Sequence, residues 1–249
     1  MIRLKNENQI NGIRKSCHLL AEMFKVVIPQ VTAGMSTKDI DDMCFEFMQK
    51  HGGKPAWRLE DFPGAACVSV NDAVIHGVPS RKQKIRNGDL VSIDVGIDLD
   101  GYISDSSTTL MIGNVSCEHR RLVETTRKCL EAGIEACKVG NRIRDISRAV
   151  SAVAEKAGFG VVYEYCGHGV GLGVHEDPTV PNVVSGGANP RIQAGMVLAI
   201  EPMINVGTAD VVLAEDGWTV LTADGAFSAH EEHTVAVFKD HTEILTLRS

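Results

Sequence analysis

Apolar positions recur at helical spacing over residues 6–31, where Ile10, Ile13, Leu20, Met23, Phe24 and Val27 fall near one face and Pro29 ends the run. A second helix is predicted over residues 36–53, with a Ser/Thr cap, an acidic first turn and a Gly-Gly stop. Two more are predicted over residues 116–137 and 141–158, each with a polar cap and a glycine stop. Strand-like runs lie between and beyond them: "AACVSV" before Asn71, a long alternating run from Leu90, then "VVYEYC", "MVLAIEPMIN", "DVVLAEDG", "WTVLTADG" and "HTVAVF". Helices and strands do not alternate strictly, which predicts an α+β fold rather than a doubly wound sheet.

The run from Leu90 to Asp105 reads as a hairpin, with Asp98, Asp100 and Gly101 in its turn region. Folding it about residues 99 and 100 sets Asp94 and Asp105 face to face. Like charges directly opposite are destabilising, and buried carboxylates without partners are costly. Something must hold these two acids there. An internal repeat points the same way. "IRNGDLVSID" (85–94) and "IQAGMVLAIE" (192–201) align without a gap, and each ends on a carboxylate. A histidine precedes each segment, His76 and His175. Two related halves, each sending a strand-borne acid into a shared centre, are expected.

Composition narrows the classes. The chain has 249 residues, 44% hydrophobic and 23% charged, as in ordinary globular proteins. A formal charge of −7 argues against a nucleic-acid binder. Seven cysteines without a C-x-x-C pair predict reduced thiols and a cytoplasmic setting. No signal peptide and no membrane-spanning run are read in the sequence.

Acids embedded in apolar strands are Asp94, Asp105, Glu201 and Glu232; His168 joins them from the glycine-rich "CGHGVGLGVHEDP". Taken singly, each has an ordinary explanation as a strand end, turn or solvated loop. Together, at matched positions of two repeats, they favour a metal site. Two divalent ions about 3.5–4 Å apart are commonly held by bridging carboxylates. An oxygen-rich set with one nitrogen and no thiolate suits Mn²⁺, Fe²⁺, Co²⁺ or Zn²⁺. His76 and His175 fit roles as hydrogen-bonding partners of a peptide substrate. No phosphate loop, dinucleotide fingerprint or nucleophile elbow is present.

The segments "SVNDAVIHGVP", "GDLVSIDVGIDLDGYISDSSTT", "YCGHGVGLGVHEDP", "AGMVLAIEPMI" and "EDGWTVLTADGAFSAHEEHTVAV" occur in the order found in type I methionine aminopeptidases. The chain resembles that family over nearly its whole length. The resemblance implies a pita-bread fold, a pseudo-twofold antiparallel sheet with helices outside, in a single domain over residues 1–249. It implies five metal ligands, with Asp105 and Glu232 bridging two ions, Asp94 completing one site, and His168 and Glu201 the other. It further implies attack of water on the carbonyl after the first residue, with Glu201 accepting a proton and His175 stabilising the oxyanion. His76 and His175 match substrate-contacting histidines. Asn71 and Ser228 match positions near a monovalent cation. The implied substrates are nascent polypeptide N-termini beginning with methionine and a small second residue, met in the cytoplasm, with the ribosome as a further partner and a monomeric enzyme.

The departures cluster around substrate recognition. Where the family reads Y-H-G-[FY]-P, this chain has "LEDFP", so Leu59, Glu60 and Asp61 are changed; Val174 replaces an aromatic, and His230-Glu231 replaces a Gln-aromatic pair. Phe62, Cys67 and Trp218 remain as walls of a side-chain pocket, Leu59 is expected to supply a further, less rigid wall, and Glu60, Asp61 and Glu231 add negative charge if they face its mouth. An aminopeptidase of the same fold with shifted specificity, and a non-catalytic peptide- or ribosome-binding relative, are the alternatives. The second is expected to lose metal ligands, and all five are here.

Overall fold

The computed structural model describes residues 1–248. The first half contains α1 (Glu7–Val27) and α2 (Thr37–Lys50), then strands β1 (Lys54–Pro55), β2 (Cys67–Val70), β3 (Ala73–Ile75), β4 (Leu90–Leu99) and β5 (Tyr102–Met111). The second half contains α3 (Cys117–Ala136) and α4 (Ile143–Ala157), then β6 (Gly160–Val161), β7 (Cys166–Gly169), β8 (Glu176–Pro181), β9 (Val197–Ile200) and β10 (Met203–Asn205). It ends with β11 (Val211–Leu213), β12 (Val220–Thr222), β13 (Ser228–His230), β14 (His233–Val237) and β15 (Thr242–Ile244). The α+β expectation holds, as do the four helices. Asn6 and Ser36 close capping boxes at α1 and α2, and Gly158 ends α4 in the left-handed region. The run "VVYEYC" is not one strand; only its two ends pair, in β6 and β7.

Two sheets carry the centre. In one, β4 pairs with β1 and β2 and forms a hairpin with β5; in the other the order is β15-β14-β9-β7-β8, antiparallel throughout. The repeat seen in the sequence is repeated in space. Ile85 and Ile192 are both buried. Gly88 and Gly195 both sit at positive φ, 96° and 92°. Gly88 N–H donates to Ile112 O at 2.8 Å, and Gly195 N–H donates to Val237 O at 2.9 Å. The return bonds, Ile112 N–H to Asp89 O and Val237 N–H to Met196 O, are both 2.9 Å. In register, Val91 faces Leu110 as Leu198 faces Val235.

Strand parity aims the acids. On β4, Val91, Ile93, Val95 and Ile97 turn toward α1 and α2 and pack in one core with Leu20, Met23, Phe24, Ile40 and Met48. Successive side chains alternate faces, so Asp94 points the other way. On β9, Leu198 and Ile200 face the α3–α4 core while Val197 and Ala199 join a third cluster between the halves. Glu201 shares the parity of Val197 and Ala199. Glu232 shares that of Thr234 and Ala236 on β14, and His168 pairs with Ala199.

The hairpin register differs from the sequence expectation by two residues. Asp94 lies opposite Ser107 and Asp105 opposite Gly96, so the two acids are diagonal neighbours. Asp100 (φ 54°) and Gly101 (φ 82°) form the turn, with Gly101 N–H donating to Asp98 Oδ1 at 2.8 Å. A two-residue shift leaves every side chain on its face, so the apolar pattern does not distinguish the two registers. The Asp-Gly pair, tolerant of positive φ at both turn positions, does.

Candidate metal centre

Asp94, Asp105, His168, Glu201 and Glu232 converge on one cavity of about 50 Å³, lined also by Trp57, Cys67, His76 and His175. Asp94, Asp105, His168 and Glu232 are buried and Glu201 nearly so. Ligand atoms of Asp105, His168 and Glu232 all lie within 4.8 Å of one another, the spacing of a cation site. His168 Nε2 is 3.6 Å from Asp105 Oδ2 and 3.5 Å from Glu201 Oε1.

The electrostatics of this cluster call for cations. Burial raises the pKa of Asp94 to about 7 and that of Glu201 to about 8. Asp105 and Glu232 are pushed well above the ordinary carboxylate range, first by burial and then by the neighbouring acids. Burial lowers His168 to about 3, so its imidazole is neutral at physiological pH. Its Nδ1–H donates to Gly169 O at 2.9 Å, which leaves the Nε2 lone pair facing carboxylate oxygens. Asp94 Oδ1, Asp105 Oδ1 and Glu232 Oε1 are buried without a hydrogen-bond partner. Lone pairs meeting lone pairs in a closed cavity fit divalent ions and little else. Cys67 adds no thiolate, because burial holds its pKa well above the ordinary thiol value.

The substrate-side residues are gathered as well. His76, at φ 56°, lines the cavity, and burial followed by the nearby His230 and His175 lowers its pKa to about 4. His175 is half exposed; its ring meets His168 edge-on at 4.4 Å, and its Nδ1 is 3.7 Å from Glu60 Oε1. The loop bearing it is clamped by Glu176, which accepts from Leu172 N–H at 2.8 Å and Gly173 N–H at 3.0 Å. Buried Lys5 pairs with that same carboxylate at 2.9 Å. Phe62 and Trp218 meet edge-to-face at 5.4 Å, in a cluster that includes Cys67, Trp57 and Val174. A larger groove of about 590 Å³ shares His168 and His175 with the cavity and runs out past Glu176 and Asp177.

Several expectations need correction. Leu59 is 62% exposed and supplies no pocket wall. Glu231 does not face the mouth; it is buried behind the centre, bonded to Thr108, Thr109 and Arg127. Two residues escaped the sequence reading. Trp57 lines the cavity and its Nε1–H donates to Asp94 O at 3.3 Å; a lone tryptophan after Pro55 gave no periodic signal. His230 lies against Glu201, Nε2 to Oε2 at 3.4 Å; its position two residues before Glu232 was the one available clue.

Buried acids from two repeated sheets, meeting an imidazole in a small cavity, are the working parts of a metal-dependent hydrolase, and the chain belongs to metallopeptidase family M24, whose model matches residues 11–239. The fold is the pita-bread fold of that family. Within it, the chain is 57% identical to a methionine aminopeptidase of Treponema pallidum, over 99% of this chain and 96% of that protein. Solved methionine aminopeptidases from Rickettsia prowazekii and Thermotoga maritima superimpose with TM-scores of 0.95 each, at 36% and 38% identity. The first match covers 99% of this chain and all of that one; the second covers 99% of each.

Proposed function

We propose that this chain, over residues 1–249 as one catalytic domain, is a dinuclear metalloaminopeptidase that removes N-terminal methionine from nascent proteins. The convergence of five donors on a cavity too small for anything but ions and a water carries the reading. Asp94, Asp105 and Glu232 would hold one ion, and Asp105, Glu232, His168 and Glu201 would hold the other. Their donor chemistry fits Mn²⁺, Fe²⁺, Co²⁺ or Zn²⁺. Bound ions in such a centre supply Lewis acidity toward water and toward the scissile carbonyl.

The protein's own groups supply the rest. Glu201, a carboxylate on the wall of the cavity, takes the proton released as water attacks. His175, half exposed at the junction of cavity and groove, donates a hydrogen bond to the developing oxyanion. His76, neutral because buried, holds the substrate's first peptide group. The methionine side chain enters between Phe62, Cys67 and Trp218, and the polypeptide leaves along the groove past Asp177. A monovalent cation beside Asn71 and Ser228 belongs to the same reading: Ser228 N–H donates to Asn71 O, and Asn205, opposite Ser228, has a buried Oδ1 without a partner. A monomer working in the cytoplasm on chains emerging from the ribosome completes it. No helix among the described residues is long and apolar enough to cross a membrane.

The test is direct. Protein stripped by a chelator should not turn over Met-Ala-Ser, and addition of Co²⁺ or Mn²⁺ should restore release of free methionine. Metal-loaded protein that cleaves no Met-initiated peptide overturns the proposal.

A further inference from the structure

His230 is 1% exposed, and neither ring nitrogen has a hydrogen-bond partner. A buried polar group left unmade costs about 1–3 kcal/mol, so its retention needs a reason. Its surroundings supply one. The two oxygens of Glu201 face two different imidazoles: Oε1 lies 3.5 Å from His168 Nε2, and Oε2 lies 3.4 Å from His230 Nε2. Both backbones are pinned. His230 N–H donates to Thr109 Oγ1 at 3.0 Å, and Thr109 Oγ1–H donates to His230 O at 2.9 Å. His230 also pairs with Met203 across β10 and β13, two residues beyond Glu201. Glu201 O accepts from Asn182 Nδ2 at 3.0 Å. The rings are therefore delivered to different oxygens of the carboxylate by fixed strands.

We propose that His230 is a positioning residue for Glu201. Its Nε2–H donates to Oε2, which leaves Oε1 for the ion shared with His168 and keeps the carboxylate from swinging or chelating through both oxygens. A ring rotation that closes the gap by a few tenths of an ångström gives an ordinary N–H···O bond of about 2.9–3.0 Å. The two imidazoles then use opposite tautomers. His168 donates from Nδ1 and offers a lone pair at Nε2; His230 offers a proton at Nε2. Direct ligation by His230 is the competing role, and the spectrum of bound Co²⁺ separates the two. The assignment rests on the metalloaminopeptidase reading above.

The experiment compares wild type with His230→Gln, His230→Asn and His230→Leu. Calorimetric titration of each metal-free protein with Co²⁺ gives affinity, the visible spectrum of bound Co²⁺ reports its ligands, and thermal melts check folding. Gln carries an N–H to the position of Nε2; Asn is polar but too short, and Leu has no donor. Loss of a group that orients a metal ligand typically costs about 10–100-fold in metal affinity. That loss is expected for the Asn and Leu variants, with most of it recovered by Gln and with Co²⁺ band positions unchanged in all three. Wild-type affinity in the Asn and Leu variants overturns the assignment, as does a Gln variant as weak as Leu. Co²⁺ bands shifted alike in every variant make His230 a ligand and overturn it too. Wild-type protein that takes up no Co²⁺ removes the metallopeptidase reading itself; the other results bear on His230 alone.

Discussion

Asp105→Asn exchanges a buried anion for an amide of the same shape, and its effect should change sign with metal. The side chain is 2% exposed, its Oδ1 has no partner, and its Oδ2 faces His168 Nε2 at 3.6 Å. Burial, then Asp94 and Glu201, push its pKa well above the ordinary range. In metal-free protein, at pH high enough to ionise this buried acid, the substitution removes a charge the fold cannot solvate, so there the variant should melt higher than wild type. With cations the balance inverts. Removing one partner of a buried charge pair costs about 3–5 kcal/mol. At about 1.4 kcal/mol per tenfold, metal affinity should fall by a hundredfold to a few thousandfold. Calorimetry with Mn²⁺ or Co²⁺, metal content after dialysis, and melts with and without metal measure both signs. A variant whose metal-free melting falls with rising pH as steeply as wild type, or that keeps wild-type metal content and turnover of Met-Ala-Ser, refutes the role of Asp105 as a shared ligand.

The pH dependence of metal-free protein has a definite direction. Folded Asp94 and Glu201 titrate near 7 and 8, above their unfolded values of 3.8 and 4.5, so their stabilisation is complete below about pH 4 and lost as pH rises through 7 and 8. His168, lowered from 6.5 to about 3, acts only below about pH 6.5, where falling pH destabilises. The melting temperature without metal should therefore drop between pH 6.5 and 8, and the gain on adding Co²⁺ should widen over that interval; a flat or rising profile contradicts the buried-acid account. Selectivity should be imperfect. Burying a methionine side chain is worth about 1.5–3 kcal/mol, and with Val174 in place of an aromatic and Leu59 turned to solvent, Met-Ala-Ser should be preferred over Leu-Ala-Ser by less than that full range in kcat/KM. A preference above about 150-fold, the equivalent of 3 kcal/mol, would show a tighter pocket than these walls provide. Asp177 along the groove is already paired with the N-terminal amine, which leaves Glu60 beside His175 as the unneutralised acid, so Met-Ala-Lys should gain over Met-Ala-Ser at low salt and lose the advantage at high salt. A salt-independent ratio would remove Glu60 from substrate recognition.

Much of this centre was readable because strand parity is strict. Acids in apolar strands must point away from the helix-side core, and two such strands in a repeat must point toward each other. Asp94, Asp105, Glu201 and Glu232 were accessible on that ground, and the glycine-rich context brought His168 with them. The hairpin register was not, because registers two residues apart bury the same side chains and differ only in turn chemistry. The pocket walls were read less well. Whether Leu59 faces in or out depends on the short 3₁₀ turn at Ala56–Glu60 and on Asp61 at φ 63°, which no periodicity announces. Glu231 was misjudged for a related reason. A charge beside a site reads as part of its mouth, whereas here Arg127, the Thr108 hydroxyl and the Thr109 N–H give it a buried home facing the other way.

The division of donors between the two halves has a mechanical consequence. Asp94 and Asp105 come from one half, and His168, Glu201 and Glu232 from the other, so any ion held by both sets ties together stretches far apart in the chain. Asp105 and Glu232 are 127 positions apart (232 − 105). A permanent link closing a loop of that order restricts the unfolded chain by about 4–5 kcal/mol. A bound cation is therefore also a reversible suture across the seam. Its removal should loosen the β4–β5 and β9–β14 pairs before the helical layers, with faster amide exchange there than in α1 or α3.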